Sequence, residues 1–233
     1  MLTLENLELA QGDFRLQVDL TLDFATFTAL MGPSGAGKST LLSAIAGFLP
    51  PLRGRVLWAG HDMTGKAPGD RSVAMLFQDN NLFPHLTAAQ NVGLGIRPDL
   101  KLSADQRAKV AEALESVGLA GLGDRKPADL SGGQQSRVAL ARVLVSDRDL
   151  VLLDEPFAAL GPALKDEMLD LVKAKLTALG KTVVMVTHDP SDARRIAEQT
   201  VVVADGKALP PQGTIALLDN PPRALADYLG QGS

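Results

Sequence analysis

The chain of 233 residues contains no cysteine. Disulfides, thiolate catalysis and cysteine-held metals are therefore excluded, and a reducing compartment such as the cytoplasm is the expected setting. No stretch approaches the ~18 consecutive apolar residues of a membrane-spanning helix, and Met1-Leu2-Thr3-Leu4-Glu5 lacks the basic start of an export signal. We expect neither secretion nor a membrane span of its own. An excess of basic charge is missing too: 23 Lys and Arg stand against 27 Asp and Glu, a net charge of −4. Nucleic acid is accordingly not expected as the main partner. No internal repeat or low-complexity tract is visible, and hydrophobic residues at 45% are enough for one large domain folded throughout.

Glycine, by contrast, is concentrated where it has a purpose. Gly32-Pro33-Ser34-Gly35-Ala36-Gly37-Lys38-Ser39-Thr40 lies between the apolar run Phe27 to Met31 and the helix-like Leu41-Leu42-Ser43-Ala44-Ile45. Glycines let a backbone approach phosphates with its N–H groups turned inward, and the following helix start adds partial positive charge. Lys38 is suited to β- and γ-phosphates and Ser39 to Mg²⁺. A loop that merely turns a strand into a helix accounts for the glycines but not for the Lys38-Ser39 pair. Nucleoside triphosphate binding is the expectation, although kinases, GTPases, motors and transport ATPases all share it.

Around that loop the pattern is α/β. Phe14, Leu16, Val18, Leu20 and Leu22 alternate with polar residues, and Leu2, Leu4, Leu7 and Leu9 suggest a partner strand across the turn Gln11-Gly12-Asp13. This predicts a small antiparallel β-layer. A helix follows over Leu41 to Phe48, ended by Pro50-Pro51, then strands over Arg55 to Ala59 and Ser72 to Phe77. Residues 87–146 read as a mostly helical insertion. Three capping boxes open helices there, at Thr87/Gln90, Ser103/Gln106 and Ser131/Gln134, and Ala108, Ala111, Leu114, Val117 and Leu119 suggest an apolar face. Apolar strands at 150–153, 182–187 and 201–204 then alternate with helices at 162–179 and 193–198, with Asp205-Gly206 as a hairpin turn and short helices over 214–229. A parallel sheet covered on both faces is implied.

Several polar groups stand at the expected strand ends. Asp154 and Glu155 follow Leu150-Val151-Leu152-Leu153 and precede Pro156. Asp154 is placed to hold Mg²⁺ opposite Ser39, and Glu155 to polarise a water aimed at the γ-phosphate; helix capping is the blander reading of the pair. His188 ends the next strand and is suited to donate to the γ-phosphate, whereas His61 and His85 are read as structural or solvated. Gln78 ends the strand 72–77 and is either a ligand of Mg²⁺ or water, or a loop-capping amide. Ser131-Gly132-Gly133-Gln134 opens a helix and resembles a second anion cradle. One nucleotide does not obviously need two.

In this order and spacing, the loop 32–40, Gln78, Leu130-Ser131-Gly132-Gly133-Gln134, the strand Leu150 to Asp154, Glu155 and His188 resemble the ATP-binding cassettes of ABC transporters over nearly the whole chain. That resemblance implies a P-loop NTPase core with its β-layer (about 1–86 and 147–233) and an inserted helical subdomain (about 87–146) in one domain, 1–233. It also implies ATP and Mg²⁺ as ligands and head-to-tail pairing with a second copy, whose Ser131, Gly132, Gly133 and Gln134 complete the phosphate site. Transmembrane permease subunits, and through them a substrate-binding protein, are the implied partners, at the cytoplasmic face of a bacterial inner membrane.

Met75 to Thr87 and Asn91-Val92-Gly93-Leu94-Gly95 are further similar to the ATP-binding subunits of bacterial thiamine importers. In such relatives Leu82, Phe83 and neighbouring helices would grip a permease helix. Other cargoes (iron, an anion, a polyamine), a soluble ABC ATPase acting on DNA or ribosomes, and a P-loop kinase are the competing readings. Three positions depart from the family pattern. Gln11 stands where relatives stack an aromatic on adenine, with Phe14 nearby. Ala158-Ala159-Leu160-Gly161 replaces Ser-Ala-Leu-Asp, and Gln135-Ser136-Arg137 is an unusual continuation of the signature.

Overall fold

The computed structural model describes residues 1–229; residues 230–233, the end of the expected domain, lie outside the described residues. The alternating N-terminal segments form β1 (Leu2–Gln11) and β2 (Phe14–Leu22), paired antiparallel with Leu2 opposite Leu22 and Gln11 opposite Phe14. β3 (Phe27–Met31), buried along its whole length, runs into the glycine loop and α1 (Lys38–Ala46). β4 (Arg53–Trp58) returns to the free edge of β1, and β5 (His61–Asp62) pairs with β4.

After β6 (Val73–Leu76) come three helices, α2 (Ala88–Gly93), α3 (Ala104–Ser116) and α4 (Gly132–Leu144). All three expected capping boxes are formed, each with the hydroxyl accepting from the third helical N–H and the amide reaching back to the cap. The chain closes with β7 (Leu150–Asp154), α5 (Pro162–Ala178), β8 (Thr182–Val186), α6 (Pro190–Ile196), β9 (Gln199–Ala204), β10 (Lys207–Ala208), β11 (Gln212–Gly213), α7 (Thr214–Asp219) and α8 (Arg223–Tyr228).

Strand order is β5-β4-β1-β2-β10-β9-β3-β8-β7-β6, with β11 on β9. The stretch β9-β3-β8-β7-β6 is the expected parallel sheet. The hairpin expected at Asp205-Gly206 forms, with β10 antiparallel to β9 and Lys207 opposite Ala204; its parallel pairing with β2, Lys207 opposite Gln17, was not expected and joins the sheet to the antiparallel layer. Three apolar clusters result. One packs α1 between the β-layer and the parallel sheet, a second packs α2 to α5 on the sheet's other face, and a third sets α7 and α8 against β3 and β9.

Three local expectations need correction. α1 starts at Lys38 and ends at Gly47, whose left-handed φ of 93° lets its N–H reach the carbonyls of Ser43 and Ala44; the prolines come after the helix is already closed. α6 begins at Pro190, capped by Asp189, and stops at Ile196, because Glu198 turns to accept the Phe27 N–H at 2.6 Å. In α3 the buried face is Val110, Ala113, Leu114 and Val117, whereas Ala108 and Ala111 are exposed. The longer apolar side chains set the helix rotation, since they remove more surface from water than alanine does.

Candidate functional site

The glycine loop is built so that side chains could not replace two of its residues. Gly32 has φ 146°, and a Cβ there would lie 2.0 Å from the Val203 carbonyl oxygen; at Gly37, φ 100°, it would lie 2.3 Å from Phe14 Cζ. Gly37 is also the cap of α1 and supplies no side chain to it. The N–H groups of the first turn, at Lys38, Ser39 and Thr40, therefore have no capping partner, which is the helix-start arrangement that binds anions. Between these glycines a turn joins the Ala36 N–H to the Pro33 carbonyl at 3.2 Å. Lys38 is buried and donates to the carbonyls of Gly32 and Pro33 at 2.7 and 2.8 Å. Burial lowers its pKa, while Glu155 and Asp154 pull it back up.

Opposite the loop, the ends of β7 and β8 present the acids and the histidine. Ser39 Oγ donates to Asp154 Oδ1 at 2.9 Å. Burial pushes the Asp154 pKa up; the Ser39 hydrogen bond lowers it, the Glu155 charge adds to the rise, and Lys38 opposes it. Glu155 sits in the left-handed region at φ 43°, and its N–H donates to the Val186 carbonyl at 3.2 Å. That twist turns the side chain off the strand line toward His188, whose Nδ1 is 2.9 Å from Glu155 Oε2.

The resulting cleft of about 700 Å³ is lined by Ser34, Gly35, Gly37, Lys38, Ser39, Thr40, Glu155 and His188, with Gln11, Phe14 and Tyr228 at its other walls. Asp154 joins it through Ser39. Hydroxyl and carboxylate oxygens already within hydrogen-bond distance of each other are a hard donor set that fits Mg²⁺, whose remaining positions suit water and phosphate oxygens.

The other expected groups are not gathered here. Gln78 is exposed, two residues beyond Leu76, which pairs with Leu153 of β7; it shares the sheet edge with Asp154 but does not line the cleft. The signature Ser131 to Gln134 also lies outside the cleft. The expected capping box partners its helix start: Ser131 Oγ accepts the Gln134 N–H at 3.3 Å and Gln134 Oε1 accepts the Ser131 N–H at 2.9 Å. Gly133 packs against Leu164, where a Cβ would lie 2.7 Å from Cδ2, while Gly132 faces open space.

Other contacts had no sequence signal. The ring of Phe14 packs against the loop at Gly37. Arg142 of α4 donates to the carbonyls of Asn80 and Asn81, both at 2.9 Å, and fully buried Asn91 of α2 bonds both the N–H and the carbonyl of Phe83. The segment after Gln78 is thus clasped by two helices of the insertion. His85 is exposed, with its ring edge-on to that of Phe83.

Comparison with known proteins gives this geometry a family. The family model described as ABC transporter matches residues 16–158. The thiamine import ATP-binding protein ThiQ of Ruegeria sp. (strain TM1040) is 62% identical over 99% of this chain and 100% of its own, and that of Cereibacter sphaeroides 60% over the same shares. The protein of that name from Yersinia pestis is 47% identical over 99% of this chain and 97% of its own. Among solved structures, the ATP-binding cassette MJ0796, in a dimeric post-hydrolysis state bound to ADP and Pi, superposes with a TM-score of 0.79 at 32% identity, covering 92% of this chain and 99% of that one. With more than half its length matched by the model and nearly all of it by these relatives, the chain belongs to the ABC transporter family, as an ATP-binding cassette.

Proposed function

We propose that this chain is the ATP-hydrolysing subunit of a bacterial importer of thiamine or its phosphates. The observation that carries the ATPase half is the pairing of Ser39 with Asp154 and of Glu155 with His188 at one cleft of about 700 Å³. Thiamine rests on the 62% identity to a thiamine import protein. Phosphates enter at the open N–H groups of α1, and Lys38 exchanges its two loop carbonyls for phosphate oxygens. Ser39 and Asp154 would hold Mg²⁺, with Gln78 as a further oxygen ligand; bound there, the metal would neutralise phosphate charge. Glu155 polarises the attacking water, and His188 turns from Glu155 toward the γ-phosphate.

The site is completed by a second copy docked head to tail, whose Ser131, Gly132, Gly133 and Gln134 face the γ-phosphate. We assign residues 87–146 as the permease-facing helical subdomain of a single domain and place the assembly peripherally at the cytoplasmic face of the inner membrane. Among the described residues no helix is long and apolar enough to cross a membrane, so attachment runs through permease subunits, which in turn receive a substrate-binding protein. Closure of the ATP-bound dimer moves the permease, and hydrolysis reopens it.

The test is ATP turnover in vesicles carrying the cognate permease. Thiamine-loaded binding protein is expected to stimulate turnover over the empty form. Stimulation by an iron-, anion- or polyamine-loaded protein instead would overturn the cargo while leaving the ATPase reading in place.

A further inference from the structure

The single tyrosine of the chain, Tyr228, ends α8 and lines the phosphate cleft. Its hydroxyl donates to the His188 carbonyl oxygen at 3.0 Å. Leu225, three residues earlier and therefore on the same face of the helix, is fully buried in the cluster that contains Ala29 and Met31 of β3 and Val202 and Ala204 of β9. The short helix thus has its apolar anchor behind the strand that delivers the phosphate loop, and its polar tip on the loop that carries His188.

That loop is fastened on its far side as well. Asp189 caps α6 through the Ser191 N–H at 2.9 Å and meets Lys165 Nζ at 2.6 Å, and Thr187 Oγ1 donates to Asp192 at 2.8 Å. Thr187 and Asp189 are held by residues of α5 and α6, whereas the His188 carbonyl is held from α8. Burial raises the Tyr228 pKa, and the nearby charges of Glu155 and Asp189 raise it further. The hydroxyl keeps its proton and stays a donor.

We propose that Tyr228 is a positioning residue for His188: by gripping the backbone carbonyl and not the imidazole, it fixes the Cα about which the ring swings between Glu155 and the γ-phosphate. The ring itself is left free to move. The inference rests on the reading of His188 as the group that meets the γ-phosphate. It makes the C-terminal helix a part of the hydrolytic machinery, a role that packing of α8 alone does not require.

Tyr228→Phe keeps the ring and the Leu225 anchor and removes only the donor. In the full chain, kcat for ATP is expected to fall about fivefold, the factor that one neutral hydrogen bond carries in a rate, with the ATP KM unchanged and the melting temperature lowered by no more than about 4 °C. The chain has only 3 histidines, so the His188 imidazole resonance is assigned by its loss in His188→Ala. It is expected to shift and broaden in Tyr228→Phe while those of His61 and His85 stay in place. A wild-type kcat, or an unmoved His188 resonance, in Tyr228→Phe overturns the brace. Wild-type turnover in His188→Ala is a separate failure, since it removes the reading of His188 and the brace's catalytic purpose with it.

Discussion

Burial and charge act against each other at Lys38, where burial lowers the pKa and the charges of Glu155 and Asp154 raise it. The two carboxylates that face the ammonium offset part of the burial, which remains the larger effect. A neighbouring pair gives this balance a measurable form. Burial pushes the Asp189 carboxyl up, but hydrogen bonds from Lys165 and Ser191 outweigh it and lower the pKa from 3.8 to about 2. A depressed carboxylate stabilises the fold above its unfolded pKa and loses that contribution as pH falls through the folded value. The unfolding free energy is therefore expected to drop between pH 3.8 and about 2, and Lys165→Met to flatten that part of the curve. Urea titrations at several pH values give the comparison; equal slopes in the two proteins would contradict the assignment.

Elements reach the site through contacts that differ in how far the sequence announces them. The C-terminal end of α1 is held by Arg71, only 2% exposed, which donates to the carbonyls of Ala44, Ile45, Thr64 and Lys66. A cation at the negative pole of the phosphate-loop helix satisfies carbonyls that would otherwise be buried without partners. Arg71→Met is expected to lower stability by about 3 kcal/mol, read as a lower urea midpoint with an unchanged slope. A change below a few tenths would remove this role.

Arg71 shows what sequence reading misses: a lone arginine in a loop has no periodicity, and its value arises from two segments, the end of α1 and the stretch Thr64 to Lys66, converging on it. The buried strands β3, β7 and β8, the capping boxes and the glycine loop were legible because each is encoded within a few consecutive residues. The fusion through β10, the rotation of α3, the clasp by Arg142 and the reach of Tyr228 depend on residues brought together from far along the chain. Among the expected site residues, those at the loop and at the ends of β7 and β8 converge, since adjacent parallel strands end at one edge. Gln78 ends at the same sheet edge but follows β6, the strand farthest from β3 in that parallel stretch, and the signature opens α4, so neither lines the cleft.

At the scale of the molecule, this separation matters most. One chain carries an open helix start at Lys38 and a self-capped one at Ser131, and they do not share a cleft. A second copy satisfies both if its α4 faces the first copy's loop. The segment Ala158 to Gly161 precedes α5, and Gly161 caps that helix without a side chain and with open space around its Cα. Gly161→Asp is expected to change stability by no more than a few tenths of a kcal/mol, so any change in the Hill coefficient for ATP reports coupling between copies; we expect it to rise, because the aspartate restores the side chain that the family pattern has there, and an unchanged coefficient would mean that this position does not set the coupling. The most direct measurement of the composite site uses Glu155→Gln, which keeps the shape of the side chain and removes the base. Light scattering on a sizing column, with and without ATP and Mg²⁺, is expected to show a monomer that becomes a dimer only with nucleotide, while turnover falls by about 10²–10⁴. A variant that stays monomeric with ATP, or turns over at the wild-type rate, would contradict the account.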